Sequence, residues 1–131
     1  MIRVLDTSAV IAFFRDEPGT EMVERIFNQT GHPRYMHSAN WIETVYEMRE
    51  KGGERAAKSA MNDLSEYGVS VVDVTAEAFR LRVADIKSAH PYLALGDCFA
   101  IGLADWLNGE VVTADKIFDK AKAFARIKCI R

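Results

Sequence analysis

The chain has few of the residues that build disulfide frameworks or zinc sites. Among its 131 residues are two cysteines, Cys98 and Cys129, and three histidines. Each cysteine lies in an apolar context where a free thiol packs like a small hydrophobe, so we expect both in the core. The histidines, His32, His37 and His90, show no metal-ligand spacing. These absences disfavour a disulfide-stabilised domain and a zinc site.

Long hydrophobic runs and a strong net charge are also absent. No apolar stretch approaches the roughly 20 residues that cross a bilayer. The first apolar run begins at Ile2 with no leader before it, so we expect a cytoplasmic protein without a membrane segment. The formal net charge is -2 and 49% of the residues are hydrophobic, as in ordinary soluble folds. We therefore expect one domain over residues 1–131.

Charge is unevenly placed, because the last segment of the chain is basic. Its cations are Lys116, Lys120, Lys122, Arg126, Lys128 and Arg131. A basic segment beside an acidic centre suits a phosphate backbone. A solvated terminal helix is the ordinary alternative for such a run.

Short apolar runs alternate with helical patterns along the whole chain. The strand-like runs are residues 2–5, 35–36, 69–74, 111–113 and 127–130. Between them the apolar residues follow helical spacing, with Thr20 and Ser38 as possible caps and Gly52–Gly53 as a helix break. Strands that alternate with helices predict an α/β fold, in which a mainly parallel sheet of four to five strands is covered on both faces.

Four carboxylates stand out against this pattern: Asp6, Glu43, Asp97 and Asp115. Asp6 ends the first strand and Asp115 follows the strand at 111–113, so the two can meet where parallel strands end. Oxygen ligands without histidine or cysteine favour a hard cation, Mg²⁺ or Mn²⁺. Such ions promote phosphodiester hydrolysis.

Asp6 and Glu43 each have an ordinary structural alternative. Asp6 could cap the helix that follows it, although the hydroxyl of Thr7 or Ser8 could do so instead. Glu43 could be a solvated helix residue. It lies four residues before Glu47, and this like-charge pair is unfavourable unless something positive intervenes.

Asp97 and Asp115 could also be helix caps. Asp97 begins a helix that is apolar almost all round, where a cap gains about 0.3–1 kcal/mol. That gain is smaller than the cost of burying an unpaired charge, so metal coordination would resolve the conflict. Asp119 is a competing ligand for Asp115, and the hydroxyl of Thr113 could bind a water or a phosphate oxygen.

Together these motifs resemble the PIN domain, and specifically the small VapC-type toxins of prokaryotic toxin–antitoxin pairs. The residues that carry the resemblance are Val4-Leu5-Asp6-Thr7-Ser8-Ala9, Glu17-Pro18-Gly19, Glu43, Leu95-Gly96-Asp97 and Val112-Thr113-Ala114-Asp115. The resemblance implies a three-layer α/β/α fold over nearly the whole chain.

The resemblance also implies a function. Asp6, Glu43, Asp97 and Asp115 would form the catalytic quartet that binds Mg²⁺ or Mn²⁺, with Thr7 and Thr113 as accessory polar residues. The implied activity is endoribonuclease cleavage of RNA. The implied partners are a second copy of the chain, as a homodimer, and a VapB-like antitoxin whose C-terminal segment blocks the metal site.

Arg15 and Lys116 are the candidates for contacts with the RNA backbone. One alternative is a catalytically silent PIN-like module that only binds RNA or protein. Another is a phosphatase of the haloacid dehalogenase type. That phosphatase requires a second aspartate two residues after Asp6, where this chain has Ser8.

Overall fold

The computed structural model describes residues 1–131 and contains one five-stranded sheet. The strands are β1 (Arg3–Leu5), β2 (Arg34–His37), β3 (Val69–Val72), β4 (Glu110–Thr113) and β5 (Arg126–Cys129). Their order is β3-β2-β1-β4-β5, and all four neighbouring pairs are parallel. The predicted parallel sheet is confirmed.

Helices cover both faces of the sheet. They are α1 (Thr7–Phe14), α2 (Thr20–Asn28), α3 (Ser38–Glu66), α4 (Glu77–Ala89), α5 (Leu95–Trp106) and a short 3₁₀ helix (Lys116–Ala121). Gly53 leaves helical geometry with φ 77° and ψ -175°, so α3 consists of two segments with the predicted break between them. None of these helices has the length and apolar character needed to span a membrane.

Alternating side chains on the strands build two separate cores. Val4 and Val111 face the core beneath α4, α5 and the 3₁₀ helix. Leu5 and Val112 face the opposite core, beneath α1, α2 and the second segment of α3. This alternation follows from the two-residue period of a strand, and it produces the expected three layers.

Two helix caps differ from the sequence-based prediction. Gly19 precedes α2 without a side-chain cap, and the N-cap of α3 is His37. The Nδ1 atom of His37 accepts a hydrogen bond from the Ala39 amide at 3.0 Å. Ser38 instead donates its hydroxyl to Asp73. The expected caps, Thr20 and Ser38, are therefore the first helical residues.

The two cysteines also differ in their surroundings. Cys98 is fully buried on α5, as expected. Cys129 is only half-buried, so its prediction as a core residue is wrong. The reason is that β5 is an edge strand, which leaves one side of the strand uncovered.

The strand order creates a crevice beside β1. The chain moves from β1 to β2 and β3 on one side, then returns to place β4 on the other side of β1. In open parallel sheets, ligands bind at such a switch point, outside the carboxyl ends of the strands. Asp6 follows β1 and Ala114 follows β4, so both lie at this crevice.

Candidate active site

A polar cleft, called here the acidic cleft, lies at the carboxyl ends of β1 and β4. Its lining residues are Asp6, Thr7, Ser8, Ile11, Arg15, Glu17, Glu43, Glu47, Asp97, Asp115 and Arg131. All four carboxylates singled out in the sequence are among them. Residues 109 positions apart in the chain, Asp6 and Asp115, thus line one surface.

Asp6 is held at the junction of β1 and α1. Its Oδ2 atom accepts hydrogen bonds from the Ser8 hydroxyl at 2.6 Å, the Thr113 hydroxyl at 3.0 Å and the Ser8 amide at 3.4 Å. Asp6 is therefore itself the N-cap of α1. The expectation that Thr7 or Ser8 would replace it as cap is wrong, because Ser8 donates to the carboxylate. The Oδ1 atom accepts no hydrogen bond from the chain.

Glu43 reaches the cleft from the first segment of α3. Its Oε1 atom accepts hydrogen bonds from the Thr7 hydroxyl at 3.3 Å and the Asn40 side-chain amide at 3.5 Å. The carboxylate lies against the first turn of α5, where a Cβ on Gly96 would collide with it. Glu43 is exposed, as the solvated alternative expects, but its carboxylate is held by Thr7 and Asn40 and is not free.

Asp97 and Asp115 are anchored in the same one-sided way. The Oδ2 atom of Asp97 accepts the Ala94 amide at 3.0 Å, and the Oδ1 atom of Asp115 accepts the Ile117 amide at 3.0 Å. Asp115 is thus the N-cap considered for it, whereas Asp97 is the third residue of α5 and bonds back to the amide of the N-cap, Ala94. Backbone anchoring is therefore present in both. It occupies only one oxygen of each carboxylate, and the other accepts no hydrogen bond from the chain.

Burial, with a further contribution from neighbouring charges, raises the pKa values of Asp6, Glu43 and Asp97. Burial raises the pKa of Asp6 to about 7, with a further contribution from the charge of Asp97. Desolvation also raises the pKa of Glu43, and the charges of Asp97 and Glu47 add to it. The pKa of Asp97 is raised by burial and then by Asp115. A cation between these groups would relieve both the desolvation and the repulsion.

The acids fit a divalent cation by their chemistry. Each offers one free oxygen, and hard cations prefer oxygen ligands. The side chains are not preassembled, because no three acids, cysteines or histidines approach closely enough to enclose one ion in this conformation. Joint coordination would therefore require the carboxylates to move closer together.

The cleft also contains two arginines. Arg15 donates to the Glu47 carbonyl at 3.5 Å, and Arg131 donates to the Pro18 carbonyl at 3.2 Å. Arg131 also lies 3.5 Å from Glu17. Sequence reasoning chose Arg15 but did not single out Arg131, although Arg131 belongs to the basic run at the end of the chain.

Three other residues considered in the sequence lie beside the cleft. Lys116 is exposed next to Asp115 but does not line the cleft. Asp119 also lies outside the lining and faces Lys122 at 3.5 Å. Thr113 is fully buried and contacts the cleft through its hydrogen bonds with Asp6, Ser8 and the Asp115 amide.

Sequence reasoning missed two polar residues that organise the cleft. The Ser8 hydroxyl accepts the Ala114 amide at 2.9 Å while it donates to Asp6, so it joins the ends of β1 and β4. Asn40 is fully buried and joins Glu43 to the backbone of Gly96. No sequence pattern pointed to Asn40, since its stronger hydrogen bond goes to Gly96 on another helix.

Comparisons with known proteins agree with this arrangement. The chain matches the PIN domain family over residues 3–123. It is 34% identical to Ribonuclease VapC30 of Mycobacterium tuberculosis, over 77% of this chain and 80% of that protein. It is 31% identical to Ribonuclease VapC of Mycolicibacterium smegmatis, over 92% of each.

A solved structure has the same fold. VapBC-1 from nontypeable Haemophilus influenzae superposes with a TM-score of 0.78 at 15% identity, covering 99% of this chain and 98% of that chain. The strand order, the acidic cleft and the family match lead to one conclusion. The chain belongs to the PIN domain family, in its VapC branch.

Proposed function

We propose that this protein is a metal-dependent endoribonuclease that hydrolyses RNA phosphodiester bonds in the acidic cleft. The observation that carries the proposal is that four carboxylates line one cleft, each with one oxygen anchored by the chain and one oxygen free. The VapC ribonucleases among its relatives support the same activity.

Asp6, Glu43, Asp97 and Asp115 are the residues that hold Mg²⁺ or Mn²⁺ in this proposal. A divalent cation bound there supplies Lewis-acid activation of water and stabilises negative charge at phosphorus. The chain's own contribution is to anchor each carboxylate on one oxygen, so that its orientation is set before the ion arrives. Thr7 and Thr113 do this for Glu43 and Asp6.

The arginines give the cleft a way to bind a polyanion. Arg15 and Arg131 line the same cleft as the acids, and guanidinium groups suit phosphate oxygens. We assign them, with the neighbouring Lys116, to the RNA backbone. Such contacts position the substrate without reading its bases.

The physiological partner in this proposal is a VapB-like antitoxin. The structural similarity to VapBC-1 supports this assignment. The C-terminal segment of the antitoxin blocks the acidic cleft, and the active form is a homodimer within one cytoplasmic toxin–antitoxin pair.

The test is cleavage of labelled single-stranded RNA by the purified protein with Mg²⁺, Mn²⁺ or EDTA. We expect metal-dependent cutting that Asp97→Asn reduces by at least about 100-fold, because loss of a ligand exceeds the effects seen for outer-shell partners. Asp85→Asn, an exposed acid of α4 outside the cleft, is the matched control and should cut normally.

Absence of RNA cleavage would support a different function. A folded protein that binds RNA but cuts none with any metal would be the catalytically silent module. The phosphatase alternative has no support, since the PIN domain match covers residues 3–123 and Ser8 donates to Asp6 where a second acid would be needed.

A further inference from the structure

One buried side chain links an acidic residue of α3 to the helix that carries Asp97. Asn40, in the first turn of α3, is fully buried. Its Nδ2 group donates to the Gly96 carbonyl at 3.0 Å and to the Glu43 Oε1 atom at 3.5 Å. Both partners are acceptors, so the amide nitrogen must face them. A single amide therefore spans from Glu43 to the residue immediately before Asp97.

The contact leaves no room between the two helices. A Cβ added to Gly96 would collide with the Glu43 carboxylate. Glu43 therefore packs directly on the first turn of α5, the turn that carries Asp97. The hydrogen bonds of Asn40 and the absence of a side chain at Gly96 together allow Glu43 to lie next to the turn that carries Asp97.

The oxygen atom of the Asn40 side chain does not stabilise the fold. Its Oδ1 atom is buried without a hydrogen-bond partner. A buried acceptor without a partner costs stability, so an apolar residue of the same size would suit the core better. This makes a purely structural role a poor explanation for an amide at this position.

A neutral donor suits a site that must later accept a cation. Glu43 and Asp97 repel each other when both are charged. A lysine or arginine between them would neutralise the acids and compete with a metal ion for them. An amide holds the carboxylate by a hydrogen bond and leaves its charge intact.

We propose that Asn40 is a positioning residue that holds Glu43 against the first turn of α5, the turn that carries Asp97, so that a short movement of the two carboxylates suffices for both to bind one divalent cation. This inference rests on the proposed function for the need of a cation. In this inference Asn40 does not contact the substrate.

The first test is Mn²⁺ binding to the full chain by isothermal titration calorimetry. Asn40→Leu removes both hydrogen bonds and the unpartnered oxygen while it keeps the number and branching of the side-chain heavy atoms. We expect its Mn²⁺ dissociation constant to rise about tenfold, the lower range for loss of an outer-shell partner. The melting temperature of the metal-free variant should stay the same or rise, and the KM for RNA at saturating Mn²⁺ should not change.

Thr44→Val is the matched control. Thr44 is also fully buried on α3, one turn further, and donates its hydroxyl to the Asn40 carbonyl at 2.8 Å. It makes no contact with an acid of the cleft, so its Mn²⁺ affinity should equal that of the unaltered chain.

A second variant approaches the same contact from α5. Gly96→Ala introduces the Cβ that would displace the Glu43 carboxylate. Alanine favours helix over glycine, so this variant should fold well and still bind Mn²⁺ more weakly. It keeps the inference testable if Asn40→Leu fails to fold.

The outcomes separate this inference from the proposed function. Weaker Mn²⁺ binding by the Asn40 and Gly96 variants supports the positioning role whether or not RNA is cut. Unchanged affinity in both variants overturns the role, and cutting by the unaltered chain would leave the nuclease proposal intact. An unaltered chain that binds no Mn²⁺ overturns both.

Discussion

At the scale of single residues, the acidic cleft is built from carboxylates that each perform two tasks. The Oδ2 atom of Asp6 caps α1 and accepts the hydroxyls of Ser8 and Thr113, while Oδ1 remains free. Asp115 similarly caps the 3₁₀ helix with Oδ1 alone. A structural role and a ligand role are therefore compatible in one residue, because a carboxylate has more than one acceptor site.

The buried charge of Asp6 leads to a prediction about pH. Its pKa in the folded protein is about 7, against an ordinary value of 3.8. The folded state therefore binds the proton more tightly than the unfolded chain. Stability that is present below pH 3.8 is lost as the pH rises through about 7.

We expect the metal-free protein in EDTA to melt at a lower temperature at pH 8 than at pH 5. The loss in free energy of unfolding is a few kcal/mol, because each pKa unit corresponds to about 1.4 kcal/mol. Asp6→Asn retains the acceptor oxygen and removes the charge, so its drop should be smaller. Melting curves followed by circular dichroism measure this. A drop in Asp6→Asn as large as that of the unaltered chain would contradict it.

At the scale of elements, a small residue allows α5 to pack closely on α4, and specific residues cap the helices. Gly102 of α5 faces Val83 of α4, whose Cγ2 atom would lie 3.0 Å from an added Cβ. The sequence predicted such close approach from the small residues of α5. The cap of α3 was not predicted, since histidine is not among the preferred capping residues.

The His37 cap leads to a prediction for α3, in which stability depends on pH in the opposite direction to the Asp6 effect. Burial lowers the pKa of His37, and its Nδ1 atom must be unprotonated to accept the Ala39 amide. The contribution of the His37 cap to stability should therefore be complete above the ordinary histidine pKa and decrease as the pH falls from about 7 to 5, which opposes the gain from Asp6 over the same range.

His37→Asn retains a capping oxygen but does not titrate. Between pH 7 and pH 5, we therefore expect the variant to lose less of the cap's contribution to the free energy of unfolding than the unaltered chain loses. Urea unfolding at both pH values measures the difference. His32→Asn, just before β2, serves as the control and should behave as the unaltered chain. A His37→Asn protein whose free energy of unfolding changes between pH 7 and pH 5 as much as that of the unaltered chain would show that the cap does not titrate.

At the scale of the whole molecule, the strand order brings distant acids to one cleft. Asp6 and Asp115 come from strands that are neighbours only because the chain returns across β1. Glu43 and Asp97 come from α3 and α5, which meet where Asn40 donates to the Gly96 carbonyl. The cleft exists only in the folded chain.

Metal binding should therefore stabilise the whole fold. A ligand that binds only the folded state adds about 2.7 kcal/mol at 100 times its dissociation constant. We expect Mn²⁺ to raise the melting temperature by several degrees at pH 8, where the acids repel most. Asp97→Asn should lose most of this shift and Asp85→Asn should keep it. An equal shift in Asp97→Asn would place the stabilising ion outside the acidic cleft.

The sequence by itself determined the order of elements and the carboxylates that end them. Strand and helix periods, Gly52–Gly53 and the alternation along β1 depend on near neighbours in the chain, so they are readable without a structure. The family resemblance, carried by Asp6 and Asp97 in their motifs, is confirmed by the match over residues 3–123.

Only the tertiary structure decided which of these residues act on one another. Asn40 meets Gly96 across 56 positions and Ser8 meets Ala114 across 106, and no local pattern encodes such contacts. The same packing brings Arg131 into the cleft and leaves Lys116 outside its lining. It also raises the pKa of Asp6, because burial depends on every element packed around a residue and not on its place in the chain.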